Sequence, residues 1–423
     1  MEPIRAIKGA PDILPGQVEL WQTIEGVVRK WMRVFGCEEI RTPIFEETRL
    51  FARSIGDDTD IVGKEMYTFT DMGGRNITLR PEGTASVIRS FIEHSLDQRG
   101  LPQSLWYMGP MFRQERPQKG RHRQFHQFGC ELIGARQMTT DVYVIWLFDL
   151  ITKDLGLENR EITLNFIGCV ESRERYKTEL VRFLDRVENL LCDDCRRRKN
   201  TNPLRVLDCK VPGCWKAIHE SSEFPKITDY LTFEDLLSYD TIKDGLKRYE
   251  IEYKEDPFLV RGLDYYTGIV FEMNRPELGA QSAIMGGGRY DGLVRELGGP
   301  DLPAVGFACG MERLILAMRG KGAVSSKSLK TYVVIPPDQN GDSMAMTCAA
   351  ELRRKGHIAI VDYLQRSVKA QMRAASKSGA RYALFVGPDM NHIDVRDMEQ
   401  STQETMTFEA FLNRLADQGD ANT

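Results

Sequence analysis

Apolar residues in the first 320 positions follow both helical and strand-like periods. Trp21–Phe35 carries apolar side chains at helical spacing, which predicts an amphipathic helix, and Ala85–Glu93 predicts another. Two long apolar segments, 104–113 and 123–133, flank a charged loop, and this arrangement favours an antiparallel pair of strands. Further strands are predicted at Phe258–Val260, Ile269–Met273 and Ala304–Ala308, before a helix that begins at Met311.

Residues 170–255 interrupt this pattern. They combine charged helical stretches with a segment that carries cysteines, and we expect them to form an insertion. The remaining strands are expected to pair mostly with antiparallel neighbours, with helices at the ends of the unit. We therefore expect an α+β fold rather than a doubly wound parallel sheet.

A second unit is expected after Lys321–Lys330, where small, polar and basic residues follow a helix-like run. Strand-like and helix-like patterns alternate from there to the end, which predicts a small α/β domain. We expect domains at 1–325 and 326–423. The predicted elements of the second are the strands TYVVIPP, IAIVDY, YALFVG and HIDVRDM and the helices Ser343–Lys355, Ser367–Ser378 and Thr407–Ala416.

The composition is that of a soluble globular protein of about two or three domains, because 42% of the 423 residues are hydrophobic and 28% are charged. A net charge of −4 does not indicate a nucleic-acid partner, which would require local basic surface. Nine cysteines are too sparse for a disulfide scaffold. Since the sequence shows neither a signal-peptide-like start nor an apolar run of about 18 residues, we expect a cytoplasmic protein without membrane association.

Two common phosphate-binding motifs are absent from the sequence. It contains no G-x-x-x-x-G-K-[ST], and no G-x-G-x-x-G opens a helix after a strand. If the protein handles ATP, another device must neutralise the phosphates. Arginines suit this task because the guanidinium pairs bidentately with phosphate and keeps its charge.

The segment 105–131 is the strongest candidate for a binding site. Arg113 lies at the end of the first long strand and Arg123 at the start of the second, with a basic loop between them. Strand parity places Arg123, Gln127 and Glu131 on one face, where a core would require apolar side chains. We favour the floor of a site for a charged substrate over the alternative, a solvated basic hairpin.

Two helix starts carry further candidates. Glu82 lies in RPEGT, just before a predicted helix, where it either contributes to a site or only complements the helix dipole. Arg313 lies in PAVGFACGMERL, which predicts a strand, a tight turn and a helix with the arginine in its first turn. Both the charge of the arginine and the positive end of the helix dipole favour a bound anion at such a site.

Two apolar segments carry the remaining candidates. Arg261 and the pair Tyr265–Tyr266 lie in LVRGLDYYTGIVFE. A buried tyrosine is common in cores, whereas a buried cation without a partner is costly. Arg289 follows three glycines in MGGGRYDGL, and such glycines allow close approach of a ligand or form an ordinary bulge or turn.

In chain order, RPEGT, FRQERPQKGRHRQFHQFGCE, LVRGLDYYTG, GGGRYDGL and AVGFACGMERL resemble the motifs of histidyl-tRNA synthetases. The paired-arginine loop and GMERL indicate class II alone, whereas RGLDYY with GGGRYDGL selects histidine over threonine or proline. The resemblance covers essentially the whole chain. It implies a class II catalytic domain with an antiparallel sheet and a helical insertion, followed by a C-terminal α/β anticodon-binding domain.

The resemblance implies the reaction as well. The enzyme would activate L-histidine with ATP, form histidyl-adenylate and pyrophosphate, and transfer histidine to the 3′ end of tRNA(His), with Mg²⁺ on the phosphates. Arg113 would hold the α-phosphate and Arg313 the γ-phosphate, with Arg121 or Arg123 as further ATP contacts. Arg261 would be a second catalytic cation beside Arg113, near the α-phosphate and the attacking carboxylate, because this step brings anions together.

A histidine subsite follows from the same resemblance. Glu82 and Thr84, helped by Gln127, would receive the α-ammonium group. Glu131 and the pair Tyr265–Tyr266 would meet the imidazole, where an acceptor must pair with a ring N–H. The implied histidine-binding residues are Glu82, Gly83, Thr84, Arg113, Gln127, Glu131, Arg261, Tyr265 and Tyr266.

Three alternatives stay open. Trp21–Pro43 resembles the class II dimer element and implies a homodimer, although periodicity also fits an internal core helix. Cys192-x-x-Cys195 has metal-ligand spacing, but the later pair Cys209-x4-Cys214 is looser, so we favour buried or tolerated cysteines over a structural zinc and expect no metal ligands. A related non-catalytic chain, the histidine-sensing regulatory subunit of ATP phosphoribosyltransferase, should lack the C-terminal module and the ATP-site arginines.

Overall fold

A large mixed sheet forms the centre of the first of two units, Met1–Ala323 and Val324–Thr423, in a computed structural model. The structure describes residues 3–56, 59, 61–115, 120–318, 330–334, 341–362, 364, 366–386 and 391–419. The strands of the first unit are β1 (Glu38–Glu39), β2 (Phe45–Glu47), β3 (Tyr67–Thr70), β4 (Asn76–Leu79), β5 (Gln103–Phe112), β6 (Gln124–Ile133), β7 (Glu161–Phe166), β8 (Tyr253–Glu255), β9 (Thr267–Asn274), β10 (Ala283–Arg289) and β11 (Ala304–Gly310).

The order of the large sheet is β1-β5-β6-β11-β10-β9-β7-β8. Its five central pairings are antiparallel, and the two edge pairings, β1 with β5 and β7 with β8, are parallel. The expected α+β class and the antiparallel pairing of the two long strands are confirmed. A smaller antiparallel sheet has the order β2-β4-β3.

Ten α-helices are described in this unit. The first packs Ile24, Val28 and Met32 into the core, whereas Val34 at its end is 62% exposed. Among the described residues, no helix has the length and apolar character needed to cross a membrane. The helices are α1 (Val18–Val34), α2 (Thr48–Ile55), α3 (Thr84–Glu93), α4 (Thr139–Asp154), α5 (Val170–Arg186), α6 (Asp193–Thr201), α7 (Pro212–His219), α8 (Phe233–Arg248), α9 (Leu293–Glu296) and α10 (Met311–Met318).

The segment expected to be an insertion contains α5 to α8 and ends on the edge strand β8. The strand expected at Phe258–Val260 is not formed; this stretch is a turn followed by irregular backbone. Tertiary contacts explain the difference, because the side-chain amide of Asn165 donates to the carbonyl oxygen of Leu259 at 2.9 Å. The Leu259 N–H donates to the carbonyl oxygen of Asp256 at 3.1 Å, so local bonds replace a ladder.

The second unit is an α/β structure with its own hydrophobic core. Its sheet has the order β13-β12-β14-β15-β16, with parallel pairing among the first three strands and antiparallel pairing among the last three. The expected linker Lys321–Lys330 lies outside the described residues except for Lys330. The elements are β12 (Lys330–Val334), α11 (Gly341–Arg354), β13 (Ile358–Val361), α12 (Val368–Lys377), β14 (Tyr382–Phe385), β15 (Ile393–Asp397), β16 (Thr402–Met406) and α13 (Phe408–Gly419).

Candidate active site

Glu131 is the buried centre of a polar pocket on the large sheet. Its side chain is 1% exposed. The hydroxyl of Thr84 donates to Oε1 at 2.7 Å, and the hydroxyl of Tyr290 donates to Oε2. Burial raises the pKa of the Glu131 carboxyl to about 8, and the nearby Glu82 adds to this effect against the two hydrogen bonds. The ionised form of Glu131 is therefore disfavoured in the empty pocket and gains from a further hydrogen-bond donor or cation.

The position of Glu131 depends on a glycine in the neighbouring strand. Gly306 of β11 pairs with Glu131 of β6 across the sheet. A Cβ on Gly306 would overlap the Glu131 carboxylate, so only glycine leaves room for it. Further along the same pairing, Gly310 lies opposite Gln127. A Cβ on Gly310 would meet no described atom within 4 Å, so the sheet face beside Glu131 is open there.

Gln127 faces this open space with an unsatisfied acceptor. Its Oε1 is buried and has no hydrogen-bond partner in the described part of the chain. The ladder between β5 and β6 is regular, so Gln127 and Glu131 lie on the same sheet face, four residues apart. An unpaired buried acceptor is costly, and a bound N–H donor would relieve the cost.

Glu82 closes the pocket from the start of α3. Its Oε2 accepts from the Thr84 N–H at 2.6 Å and its Oε1 from the Ala85 N–H at 2.8 Å. Burial raises the pKa of Glu82, although these N–H groups and the charge of Arg113 oppose the shift. Gly83 lies against the ring of Tyr107, which a Cβ would overlap. Glu82 therefore accepts hydrogen bonds from the start of the helix, where it also complements the helix dipole, and it lies beside the pocket as well.

Tyrosine rings form the walls of the pocket. Tyr265 and Tyr266 are each 6% exposed, and their ring centroids lie 4.7 Å apart. Both rings pack against Tyr290, at centroid distances of 5.4 and 6.4 Å. Burial raises the pKa of both hydroxyls, so they stay neutral and can donate hydrogen bonds at physiological pH.

Arg261 lies at the edge of this aromatic cluster. Its guanidinium pairs with Glu272 of β9 and lies over Gly286 of β10, where a Cβ would overlap it. Gly288 likewise leaves room for the ring of Tyr266, since a Cβ on Gly288 would lie 2.7 Å from that ring. Gly286 and Gly288 therefore permit side chains of the RGLDYY segment to approach the strand, and the strand register also shifts between Gly288 and Arg289, as in a bulge.

A cluster of arginines lies next to the polar pocket. Arg113 donates from Nε to the carbonyl oxygen of Pro81 at 3.0 Å, directly before Glu82. Arg121 pairs with Glu115 at 2.9 Å, and Nη1 of Arg313 donates to the carbonyl oxygen of Ala283 at 2.7 Å. Burial lowers the pKa of Arg313, and the positive charges of Arg121 and Arg113 lower it further. Three cations held this close favour a polyanionic ligand.

Two predicted candidates differ from this group. Arg123 lies just before β6 and donates from Nε to the carbonyl oxygen of Glu115 at 3.4 Å, at the rim of the arginine cluster. Arg289, in contrast, is buried away from the pocket and donates from Nε to Asp141 at 3.0 Å and from Nη1 to Asp291 at 3.1 Å. Its role in the structure is that of a core ion pair.

Comparisons with known proteins identify the family of the chain. The model of the histidyl-tRNA synthetase family matches residues 9–314, and that of the anticodon binding domain matches residues 331–418. The chain belongs to the histidyl-tRNA synthetase family. The resemblance inferred from the motifs is confirmed, and so is its class of activity, an aminoacyl-tRNA ligase.

Individual relatives cover nearly the whole chain. Histidine–tRNA ligases of Thermosipho melanesiensis and Thermotoga maritima are each 47% identical to it, over 94% of this chain and 95% of theirs. The crystal structure of apo Staphylococcus aureus histidyl-tRNA synthetase is 37% identical and superimposes with a TM-score of 0.81, covering 97% of this chain and 99% of that one. Both units of the chain therefore have counterparts in this synthetase family.

Sequence reasoning missed two tyrosines beside Glu131. Tyr290 follows Arg289 in GGGRYDGL, but a pattern of apolar and polar residues does not separate a pocket tyrosine from a core one. Tyr107 is 3% exposed and pairs with Gly129, where a Cβ would lie 2.5 Å from the tyrosine hydroxyl. Strand parity could have indicated Tyr107. Leu105 lies opposite Glu131 on the neighbouring strand, and Tyr107, two residues further along, lies on the same face of the sheet.

Proposed function

We propose that the chain is a histidine–tRNA ligase whose two half-sites are the tyrosine-walled pocket and the arginine cluster. It activates L-histidine with ATP to histidyl-adenylate and pyrophosphate, and then transfers histidine to the 3′ end of tRNA(His). The observation that carries the proposal is the bond from Arg113 to the carbonyl oxygen of Pro81, because it joins the phosphate-binding cations to the residue before Glu82. A carboxylate bound beside Glu82 would then meet an α-phosphate held by Arg113.

The histidine half-site offers acceptors for the donors of the amino acid. Gln127 Oε1 has no partner among the described residues and suits one N–H of the α-ammonium group, with Glu82, Gly83 and Thr84 beside it. Glu131 is proposed to accept from the imidazole N–H, with the neutral hydroxyls of Tyr265 and Tyr266 alongside. Burial raises the pKa of Glu131 in the empty pocket, so in this role the bound imidazole N–H would lower the cost of ionising the carboxyl. Its observed partners are hydroxyls, not an arginine, which argues against a purely structural ion pair.

The ATP half-site supplies fixed positive charge. Arg113, Arg121, Arg123 and Arg313 are proposed to contact the phosphates, with Arg113 on the α-phosphate and Arg313 on the γ-phosphate. Attack of a carboxylate on the α-phosphate brings negative charges together, and preorganised cations stabilise that charge as it develops. No covalent nucleophile is required. The chain contributes positioning and electrostatics.

Mg²⁺ fits this half-site. Glu115 and Glu272 are carboxylates that interact with Arg313 within the cluster, and oxygen donors of this kind suit a hard divalent cation. When bound with ATP, Mg²⁺ would neutralise part of the phosphate charge. The two glutamates are proposed as its protein ligands.

Arg261 is proposed as the second catalytic cation, beside Arg113. Its guanidinium contacts Glu272 on one side and interacts with Tyr266 on the other, so it lies between the two half-sites. From there it would stabilise the negative charge that develops between the carboxylate and the α-phosphate. Its contact with Gly286 restricts the guanidinium to one orientation.

The remaining proposals concern partners and location. We propose domains at 1–325 and 326–423, with an insertion at 170–255, and that the second domain binds the anticodon region of tRNA(His). A homodimer through α1 and the neighbouring strand is supported by exposed apolar residues nearby: Val34, Ile44 and Phe45 are 62%, 43% and 56% exposed. A cytoplasmic location is supported by nine cysteines that are all free thiols.

The decisive experiment is ATP–pyrophosphate exchange with single amino acids. We expect exchange with histidine and none with threonine or proline, followed by charging of tRNA(His). Binding of histidine without any exchange would contradict the proposal and support the regulatory-subunit alternative.

A further inference from the structure

Four cysteines of the helical insertion converge at one point. The Sγ atoms of Cys192, Cys195, Cys209 and Cys214 all lie within 4.8 Å of one another. Cys192 and Cys209 have their sulfurs 4.0 Å apart, about twice a disulfide bond length, and all four thiols are free. In a tetrahedral tetrathiolate with zinc–sulfur bonds of about 2.3 Å, the sulfurs lie about 3.8 Å apart. The cluster is therefore close to the size that one zinc ion requires.

The backbone around the cluster already supports thiolates. Cys192 is the residue before α6, Cys195 lies in the first turn of α6, and Cys214 lies in the first turn of α7. The N-terminal end of a helix favours negative charge. The backbone N–H of Cys192 donates to Sγ of Cys214 at 2.9 Å, a bond that orients and stabilises a metal-bound sulfur.

Ordinary burial explains this arrangement poorly. Three of the four side chains are buried, but they lie against one another, and a core cysteine normally packs against carbon. The other five cysteines show at most a pair, Cys37 and Cys130, with sulfurs 3.6 Å apart. The looser spacing of Cys209 and Cys214 weakened the prediction of a metal from sequence. The fold overcomes it, because α7 begins at Pro212, between the two residues, and the Cys214 sulfur in its first turn lies beside the start of α6.

We propose that Cys192, Cys195, Cys209 and Cys214 bind one structural Zn²⁺ as a closed tetrathiolate. Soft thiolates in a tetrahedral set select zinc over Mg²⁺ or Ca²⁺. Each thiol loses its proton on binding, so four protons leave as the ion enters and the centre carries two negative charges. With four protein ligands no position is open for water, and the ion has a structural role.

The ion also fixes a segment that contacts the RGLDYY motif. Asn202, between the two cysteine pairs, donates from its side-chain amide to Asp264 Oδ1 at 2.8 Å. Arg205, 9% exposed, donates from Nη1 to the carbonyl oxygen of Arg261 at 3.0 Å. Both contacts come from the loop that the four cysteines close. The proposal of a metal site does not depend on the proposed function. The proposed effect of the metal on Arg261 does rest on that function.

Metal analysis of the purified full-length protein is the first test. Protein expressed with added zinc and purified without chelator should contain about one zinc per chain by elemental mass spectrometry. Protein produced with Co²⁺ should show the thiolate-to-cobalt charge-transfer and intense d–d absorption of a tetrahedral site. Trace metal with all four thiols reactive in the native protein, a disulfide within the cluster, or iron in place of zinc would overturn the proposal.

Variants test which thiols hold the ion. Cys195→Ser and Cys214→Ser should each reduce bound zinc below roughly one tenth per chain, whereas Cys209→His, which restores a zinc ligand, should retain it. Cys169→Ser is the matched control, because Cys169 is an exposed thiol outside the cluster. If zinc persists in both serine variants, Cys195 and Cys214 are not its ligands and the proposal is wrong. If a variant does not fold, release of zinc from wild type in step with mercurial blocking of four thiols gives the same answer.

The link to the RGLDYY loop has its own readout. Removal of zinc should lower the rate of histidine-dependent pyrophosphate exchange and leave the KM for histidine nearly unchanged, the pattern expected when Arg261 is displaced. Faster proteolysis within residues 186–220 should accompany the loss. If the protein holds one zinc per chain but the exchange kinetics do not change when the ion is removed, the metal site is established. Only the effect of the ion on Arg261 is then refuted.

Discussion

Tyr290 donates a hydrogen bond to Oε2 of Glu131 across the central strands of the large sheet. The acceptor lies on β6 and the donor follows β10, with β11 between them. Gly306 of that intervening strand leaves the space in which the two side chains meet. The contact links the glycine-rich motif to the pocket and identifies Tyr290 as a residue that positions Glu131.

Tyr290→Phe should weaken histidine binding selectively. Loss of a hydrogen bond that lowers the pKa of Glu131 makes its ionised form harder to reach, so the pKa should rise further. We expect a rise in the KM for histidine of about fivefold, equivalent to about 1 kcal/mol, with little change for ATP. Steady-state exchange kinetics provide the measurement. Tyr249→Phe, at an exposed ring outside the pocket, is the control, and equal effects in both variants would refute the role of Tyr290.

Glu131→Gln should weaken histidine more than ATP. A charge-assisted bond to an imidazole N–H is lost and the pocket is left half-satisfied, at a cost of about 1.5–3 kcal/mol. The KM for histidine should therefore rise by about 10- to 100-fold. A structural carboxylate would instead lower stability and disturb both substrates together. That pattern in exchange kinetics and thermal melting would contradict a ligand role.

Stability should depend on pH through the same carboxyl. The pKa of Glu131 is raised by burial from an ordinary value of 4.5 to about 8 in the folded protein, so the folded state binds more protons than the unfolded state between these values. The free energy of unfolding of the ligand-free protein should therefore fall as pH rises through this window. Urea unfolding between pH values of about 5 and 8 measures the slope. Glu131→Gln should flatten it, and an unchanged slope in this variant would assign the effect to other groups.

Arg261→Ala should impair adenylate formation and leave histidine binding largely intact. Removing a charge aimed at the developing anion costs on the order of 3 kcal/mol, or about a hundredfold in rate. Single-turnover adenylate formation and equilibrium binding of histidine separate the two effects. Arg295→Ala changes an exposed arginine, 65% accessible at its side chain, and should leave both unchanged. Exchange at the wild-type rate in Arg261→Ala would show that the charge is not used.

Removal of residues 326–423 should preserve histidine activation and impair charging of tRNA(His). The two units have separate hydrophobic cores, and this independence motivates the prediction. Circular dichroism and thermal unfolding first establish that the truncated chain is folded. Pyrophosphate exchange and aminoacylation then follow on the same preparation. A folded truncated protein that has lost exchange would show that the units depend on each other.

Local sequence was sufficient wherever short-range physics decides the structure. The α3 helix begins at Thr84, one residue before the predicted Ala85, and α10 begins at Met311 as predicted. Strands β5 and β6 pair as expected. Strand β16 escaped prediction because its residues, Thr402–Met406, are almost all exposed and polar and carry no alternating pattern. Its only signal is the partner strand β15.

The sequence by itself determined the family, the class of each unit and most of the residues around the pocket, since these depend on motifs and periods read along the chain. Tertiary structure decided which side chains meet. Arg289 became a core ion pair because Asp141, 148 positions away, lies beneath it. Tyr290 lies in the site because Gly306, on the strand between β6 and β10, leaves space for its contact with Glu131. Four cysteines spread over 23 positions lie together because the start of α6 contacts the first turn of α7. Such contacts depend on sheet register and chain crossing, which no local spacing encodes.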